Sequence, residues 1–186
     1  MVIVAIAVLA LAGAFSSGGS GTTSSGGSAS SVNGPAVTNT CVLLTTSEVA
    51  AALGEPVGRT AVSKDKGACY YPLANNDRLA VEADHLTSTD PESDFQSART
   101  SSVFGSAGTV KDLPGLGDHA VYEFAPPTAT SAGGSDVTAW RGRLRLFVTF
   151  EVTSPSNLPG VADLNRITSE QLAGLARMAL VRAPAL

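Results

Sequence analysis

Arg143-Leu144-Arg145-Leu146-Phe147-Val148-Thr149-Phe150-Glu151-Val152 is the stretch on which the fold turns. Leu144, Leu146, Val148, Phe150 and Val152 occupy every second position, the period of a strand, and so share one face. A strand central to one face of a sheet is predicted here. Immediately upstream, Asp136 to Trp140 with a turn around Arg141-Gly142 completes a hairpin. Arg78 to Leu86 alternates in the same way, with Leu79, Val81 and Ala83 on one side and Glu82 and Asp84 on the other. Shorter strands are predicted near Val57 to Ser63 and Ala68 to Leu73, joined by Lys64-Asp65-Lys66-Gly67. Two more, Thr109 to Leu113 and His119 to Phe124, flank the turn-rich Pro114-Gly115-Leu116-Gly117-Asp118, and Ala125 to Ser135 reads as a loop.

Three helices interrupt these strands. Thr45-Thr46-Ser47-Glu48 is a capping box opening a helix that ends at Gly54, with Val49, Ala52 and Leu53 as its apolar stripe. Asp90-Pro91-Glu92 starts a second, because Asp caps and Pro is preset for the first helical position. Its shared face is Phe95, Ala98 and Ser102 or Val103. The third runs from Thr168, paired with Gln171, to about Arg182, its stripe being Leu172, Leu175, Ala176, Ala179 and Leu180. The order helix, strands, helix, strands, helix predicts an α+β fold, an antiparallel sheet packed by helices on one face. Strict βαβ alternation is missing, which argues against a doubly wound nucleotide fold.

The preceding residues have a different composition. Met1 to Phe15 carries no charge and is shorter than the roughly 20 apolar residues of a membrane span, so it reads as a signal peptide or membrane anchor. No Lys or Arg occurs before Arg59, which leads us to expect basic residues upstream of Met1. Leu11-Ala12-Gly13-Ala14 has the form of a bacterial lipoprotein signal with alanine where the acylated cysteine would stand. Ser16 to Thr40 is a Ser/Gly-rich linker, 18 of its 25 residues being Ser, Gly or Thr. As a disordered coil it would span about 28 Å. The domain proper is therefore residues 41–186, read as extracytoplasmic.

The 186 residues carry a net charge of -4, with no basic stripe to neutralise several phosphates, so nucleic acid is not an expected partner. An even cysteine count in an exported chain reads as a disulfide, and Cys41 and Cys69 allow one intramolecular pairing. No Cys-x-x-Cys or neighbouring His supports zinc, and no cofactor motif occurs. His85 and His119 are the only histidines, and the Asp84-His85 and Asp118-His119 neighbours should point to opposite faces, so both read as polar surface residues. Ser63-Lys64-Asp65-Lys66 matches Ser-x-x-Lys, but a turn with Gly67 breaks the helix that chemistry needs. Arg141, Arg143 and Arg145 recur at period two beside Trp140, and are the candidate anion or partner surface against the plainer reading of a solvated outer face.

Taken together, the export segment, the Ser/Gly tether, Cys41-Val42-Leu43-Leu44-Thr45-Thr46-Ser47-Glu48-Val49, Leu53-Gly54, Cys69-Tyr70-Tyr71, Gly115-Leu116-Gly117-Asp118-His119-Ala120 and the Leu144 to Val152 strand resemble an uncharacterised family of actinobacterial cell-envelope lipoproteins. The resemblance spans most of the chain. It implies an exported, disulfide-bonded α+β domain, secreted or tethered to the cell membrane, and brings no catalytic residues. The expected function is a non-enzymatic binding or accessory role toward an envelope component or protein. A carrier of a hydrophobic ligand or lipid is the alternative, and a hydrolase using His85 or His119 comes third.

Overall fold

The structure, a computed structural model, describes residues 39–63, 67–87, 89–102, 104, 108–126, 133–152 and 167–183. The export segment, nearly all of the Ser/Gly linker, the Ser-x-x-Lys lysines and most of the Ala125 to Ser135 loop lie outside them. Seven strands, β1 (Ala61–Val62), β2 (Cys69–Pro72), β3 (Arg78–His85), β4 (Thr109–Asp112), β5 (His119–Ala125), β6 (Gly134–Arg141) and β7 (Leu144–Glu151), form one sheet. Its order is β1-β2-β3-β7-β6-β5-β4, antiparallel throughout. The helices are α1 (Thr46–Leu53), α2 (Pro91–Thr100) and α3 (Ser169–Arg182). An antiparallel α+β fold is therefore what the chain adopts, its order of helices and strands agreeing in part with the expected one.

The alternating strand lies at the centre. Leu144, Leu146, Val148 and Phe150 pair across β3 with His85, Ala83, Val81 and Leu79, and across β6 with Arg141, Ala139, Val137 and Ser135, so these positions share the first face. Against that face pack Val49 and Leu53 of α1 and Leu172, Leu175, Ala176, Ala179 and Leu180 of α3. Both helices begin as their sequences dictate. Thr45 and Glu48 form a complete capping box, as do Thr168 and Gln171, and Gly54 ends α1 at φ 73°, a left-handed conformation that glycine adopts without a Cβ clash. Gln171 Nε2 also donates to the Ala52 carbonyl at 2.8 Å, tying α3 to the end of α1. Tyr71 points into the same layer, its hydroxyl donating to the Leu44 carbonyl at 2.7 Å, and burial pushes its pKa up to about 12.

One expectation fails. The helices do not all lie on one face: α2 covers the second. Phe95 of α2 joins Leu86, Val121 and Trp140 in a separate apolar cluster, and Val121 and Trp140 have the opposite strand parity from Ala120 and Ala139. A helix with so few apolar residues can lie there because its contacts are largely polar, as described below. Boundaries also move. The Val57 to Ser63 strand shrinks to two paired residues, and β6 begins at Gly134 rather than Asp136. The helix ends at Thr100, short of Ser102 and Val103, because Ser101 turns extended at φ -126°.

Cys41 and Cys69 are bonded, joining a 3-10 turn at Thr40–Val42 to β2. Thr40 beside it is fully buried and its hydroxyl donates to the Gly67 carbonyl. The entry of the chain into the domain is thus held from two sides.

Candidate functional site

The second face of the sheet carries the unusual chemistry. Its side chains include Glu82 and Asp84 of β3, Arg145, Phe147 and Thr149 of β7, Asp136, Thr138 and Trp140 of β6, and His119, Val121 and Glu123 of β5. At one end α2 closes over them. Its Phe95 stacks on His119 with ring centroids 4.4 Å apart and meets Trp140 edge-on at 5.6 Å. Glu92 pairs with His119 Nε2 at 3.0 Å, and Arg99 with Asp112 at 2.9 Å.

A buried charge network locks the first turn of α2 to the sheet. Arg145 Nε and Nη2 donate to the two oxygens of Asp84 at 3.2 and 2.8 Å, while Nη1 donates to Asp94 Oδ2 at 2.9 Å. Trp140 Nε1 donates to the same Asp94 oxygen at 2.9 Å. Burial opposes the guanidinium's charge, but the bonds to Asp84 and the charges of Asp84 and Asp94 outweigh it and hold the Arg145 pKa above its ordinary value. The guanidinium also lies over the Phe147 ring, 4.8 Å from its centroid.

Two rows along the same face lies a second buried acid. Asp136 accepts from the hydroxyls of Thr138 and Thr149, both at 2.6 Å. Glu123, its cross-strand partner, accepts from Ser102 Oγ and from the Phe104 amide, so these residues after α2 rest on the same acids. Burial drives the Asp136 pKa from 3.8 up to about 6, the two hydroxyls oppose this, and the charges of Glu123 and Glu82 add to it. Because the folded state holds this proton more tightly than the unfolded one, the contribution of Asp136 to stability is full below pH 3.8, falls as pH rises toward about 6, and is lost above. Asp136→Asn, which keeps polar atoms for both threonines, is therefore expected to stabilise the fold by up to about 3 kcal/mol at pH 8 and by nothing at pH 3.5. Urea unfolding at the two pH values checks this, and an equal gain at both would refute the assignment.

The part of this face over β2, β3 and β7 is uncovered by any described helix. Tyr70, Phe147 and Thr149 are half-buried there and Glu82 is exposed, directly across from Phe147. Arg78 lies over the Tyr70 ring at 4.5 Å and pairs with Glu151 at the margin. Partial desolvation and the neighbouring Asp84 charge hold the Glu82 carboxyl above its ordinary pKa, with Arg145 pulling the other way. Two half-buried aromatic rings, each with an arginine over it, thus lie beside an exposed acid on this part of the sheet. No group of three or more metal-ligating side chains occurs among the described residues.

The arginines picked from sequence do not act together. A two-residue turn, Gly142-Arg143 with Gly142 at φ 56°, pairs Arg141 with Leu144, so Arg141 falls on the first face and Arg145 on the second. Period two does not carry across such a turn. Arg141 donates to the Leu180 and Ala183 carbonyls at the end of α3, and Arg143 to the Leu86 and Thr89 carbonyls. Trp140 is fully buried, so it offers no surface to a partner. His85 is also no surface residue, being 8% exposed, with Nε2 lacking a hydrogen-bond partner among the described residues. His119 remains partly exposed. The two Asp-His pairs do diverge, Asp84 facing Arg145 and Asp118 accepting from the Gly142 amide at 2.6 Å.

Sequence reading missed Glu82, Phe147, Tyr70, Thr149 and Asp136 as a group. The nearest available signal was Trp140, a large aromatic beside the arginines, which the structure buries completely. Comparison with protein-family models, curated proteins and solved structures finds no match to the chain.

Proposed function

We propose that the chain is an exported cell-envelope domain with a non-enzymatic binding or accessory role, and that its binding surface is the open part of the second face. The observation supporting this is the unequal cover of that face by the described residues: α2 and the residues after it close one side, while on the other no described helix lies over half-buried Tyr70, Phe147 and Thr149 and exposed Glu82. A bidentate Arg145 and close-packed strands hold that part of the sheet rigid, which lowers the ordering cost of binding. The disulfide suits an oxidising, extracytoplasmic compartment. In this reading the chain is related to the actinobacterial envelope lipoproteins it resembles, with an envelope protein or polymer as partner.

A photo-crosslinking side chain replacing Phe147, in the full chain exported by an actinobacterial host, is expected to yield a discrete adduct. Glu82→Lys should weaken that adduct several-fold, and the same group at the exposed Ala51 of α1 should give none. Equal labelling at both positions, or robust hydrolysis by the purified chain lost on replacing His119, would overturn the proposal.

A further inference from the structure

Among the described residues the exposed large hydrophobics are three valines, Val42, Val62 and Val181, at 63, 53 and 77% exposure. Single exposed valines need no explanation, but these three sit on elements that are tied to one another. Val62 pairs with Cys69 across the β1–β2 ladder, and Cys69 is bonded to Cys41, the neighbour of Val42. Val181 precedes Arg182, whose guanidinium donates to the carbonyl of Leu43, the residue after Val42, and pairs with Glu48. Strand β1, the 3-10 turn and the last turn of α3 therefore bring all three to one end of the domain. Exposed Arg177, one helical turn before Val181 on the same stripe, adds a cation there.

That end is where the chain enters. The 38 residues before Asn39 meet the domain beside Val42, and the first fifteen are uncharged and apolar. The junction is fixed by the disulfide and by buried Thr40, so the way the tether leaves the domain is coupled to the domain's orientation.

We infer that the patch of Val42, Val62 and Val181 rests on the surface of a lipid bilayer, so that the tethered domain stands on its entry point. The inference rests on the reading of the chain as an envelope protein and takes Met1 to Phe15 as a membrane anchor, the second of its two readings, rather than as a cleaved signal peptide. Three valine side chains laid among headgroups, with Arg177 reaching an anionic lipid, make a weak contact that becomes useful once the tether keeps the local lipid concentration high. The far end of the sheet and the open second face then stay accessible to a partner.

The test uses the full chain, valine-methyl labelled, with vesicles of phosphatidylglycerol and phosphatidylcholine carrying a gadolinium-chelating lipid. The expected result is co-flotation, with methyl signals of Val42, Val62 and Val181 broadened several-fold more than that of Val110 on β4, the opposite edge strand. Val42→Asp with Val181→Asp should abolish the difference while flotation persists, and unchanged Trp140 fluorescence reports that the variant is folded. Flotation with Val110 broadened as strongly overturns the patch but leaves the tether standing. A chain that stays in solution overturns the tether and the contact with it. Without lipid, a dimer lost in Val181→Asp would assign the patch to a second copy, and magnetisation transfer from Met1–Phe15 to the three methyls would assign it to the chain's own leader. Either outcome would replace the bilayer.

Discussion

Arg145→Met is expected to remove about 3–5 kcal/mol of folding stability, because it strands two carboxylates that burial has already separated from water. Asp84 and Asp94 have side chains only 6 and 11% exposed, and both depend on this guanidinium. The pair itself adds little net energy relative to an apolar core, since desolvating three charges offsets most of their attraction. The expected pattern follows from that asymmetry. The triple variant Arg145→Met, Asp84→Leu, Asp94→Leu should recover most of the loss, whereas Arg145→Lys should recover little, an ammonium lacking the fork that holds both acids. Urea denaturation at neutral pH measures all three. A loss below about 1 kcal/mol for Arg145→Met would mean that water reaches the network and screens it. Loosening of α2 should accompany the single substitution, read as faster amide exchange through Pro91–Thr100 than through α3.

Removing the disulfide by Cys41→Ala with Cys69→Ala should cost about 3–4 kcal/mol, the entropy of a loop whose ends lie 28 residues apart. Alanine is the right replacement because Cys69 is completely buried and a serine hydroxyl would add its own desolvation. The loss should appear equally when the wild-type protein is unfolded under reducing conditions. A reduced protein as stable as the oxidised one would show that Thr40, Tyr71 and the α1–α3 contacts hold the entry segment without the bond.

What could be read from sequence divides by face. The first face follows a single rule: period two in β3 and β7 and period 3.6 in α1 and α3 put the expected apolar stripes where they pack, and both capping boxes formed as written. The second face follows no such rule. Its cover is α2, whose main apolar anchor is Phe95, and its cohesion comes from Arg145 meeting Asp84 and Asp94 across 61 and 51 residues. Charges at alternating positions look alike whether they face water or one another, and only the third dimension separates the cases. Asp136 is the sharpest example: a carboxylate on a strand reads as solvent-facing, yet here it is among the most buried side chains on that face. The candidate site was illegible for a related reason. Glu82 and Phe147 become neighbours through the β3–β7 register, which no local pattern announces.

That register governs the order in which the molecule can be assembled. The strands form two meanders, β1-β2-β3 and β4 to β7, and a single seam between β3 and β7 fuses them. Each meander closes through near neighbours, whereas the seam joins positions such as Asp84 and Arg145, 61 residues apart, and so forms late. Until β7 emerges, β3 has an open edge, Asp84 has no counter-charge and α2 is held only by its contacts with β4, β5 and β6. A chain made from its N-terminus has an incomplete sheet until residue 151 and an uncovered first face until α3 follows. The topology thus delays closure of the sheet, and until then it leaves β3 as the edge most open to pairing with another chain.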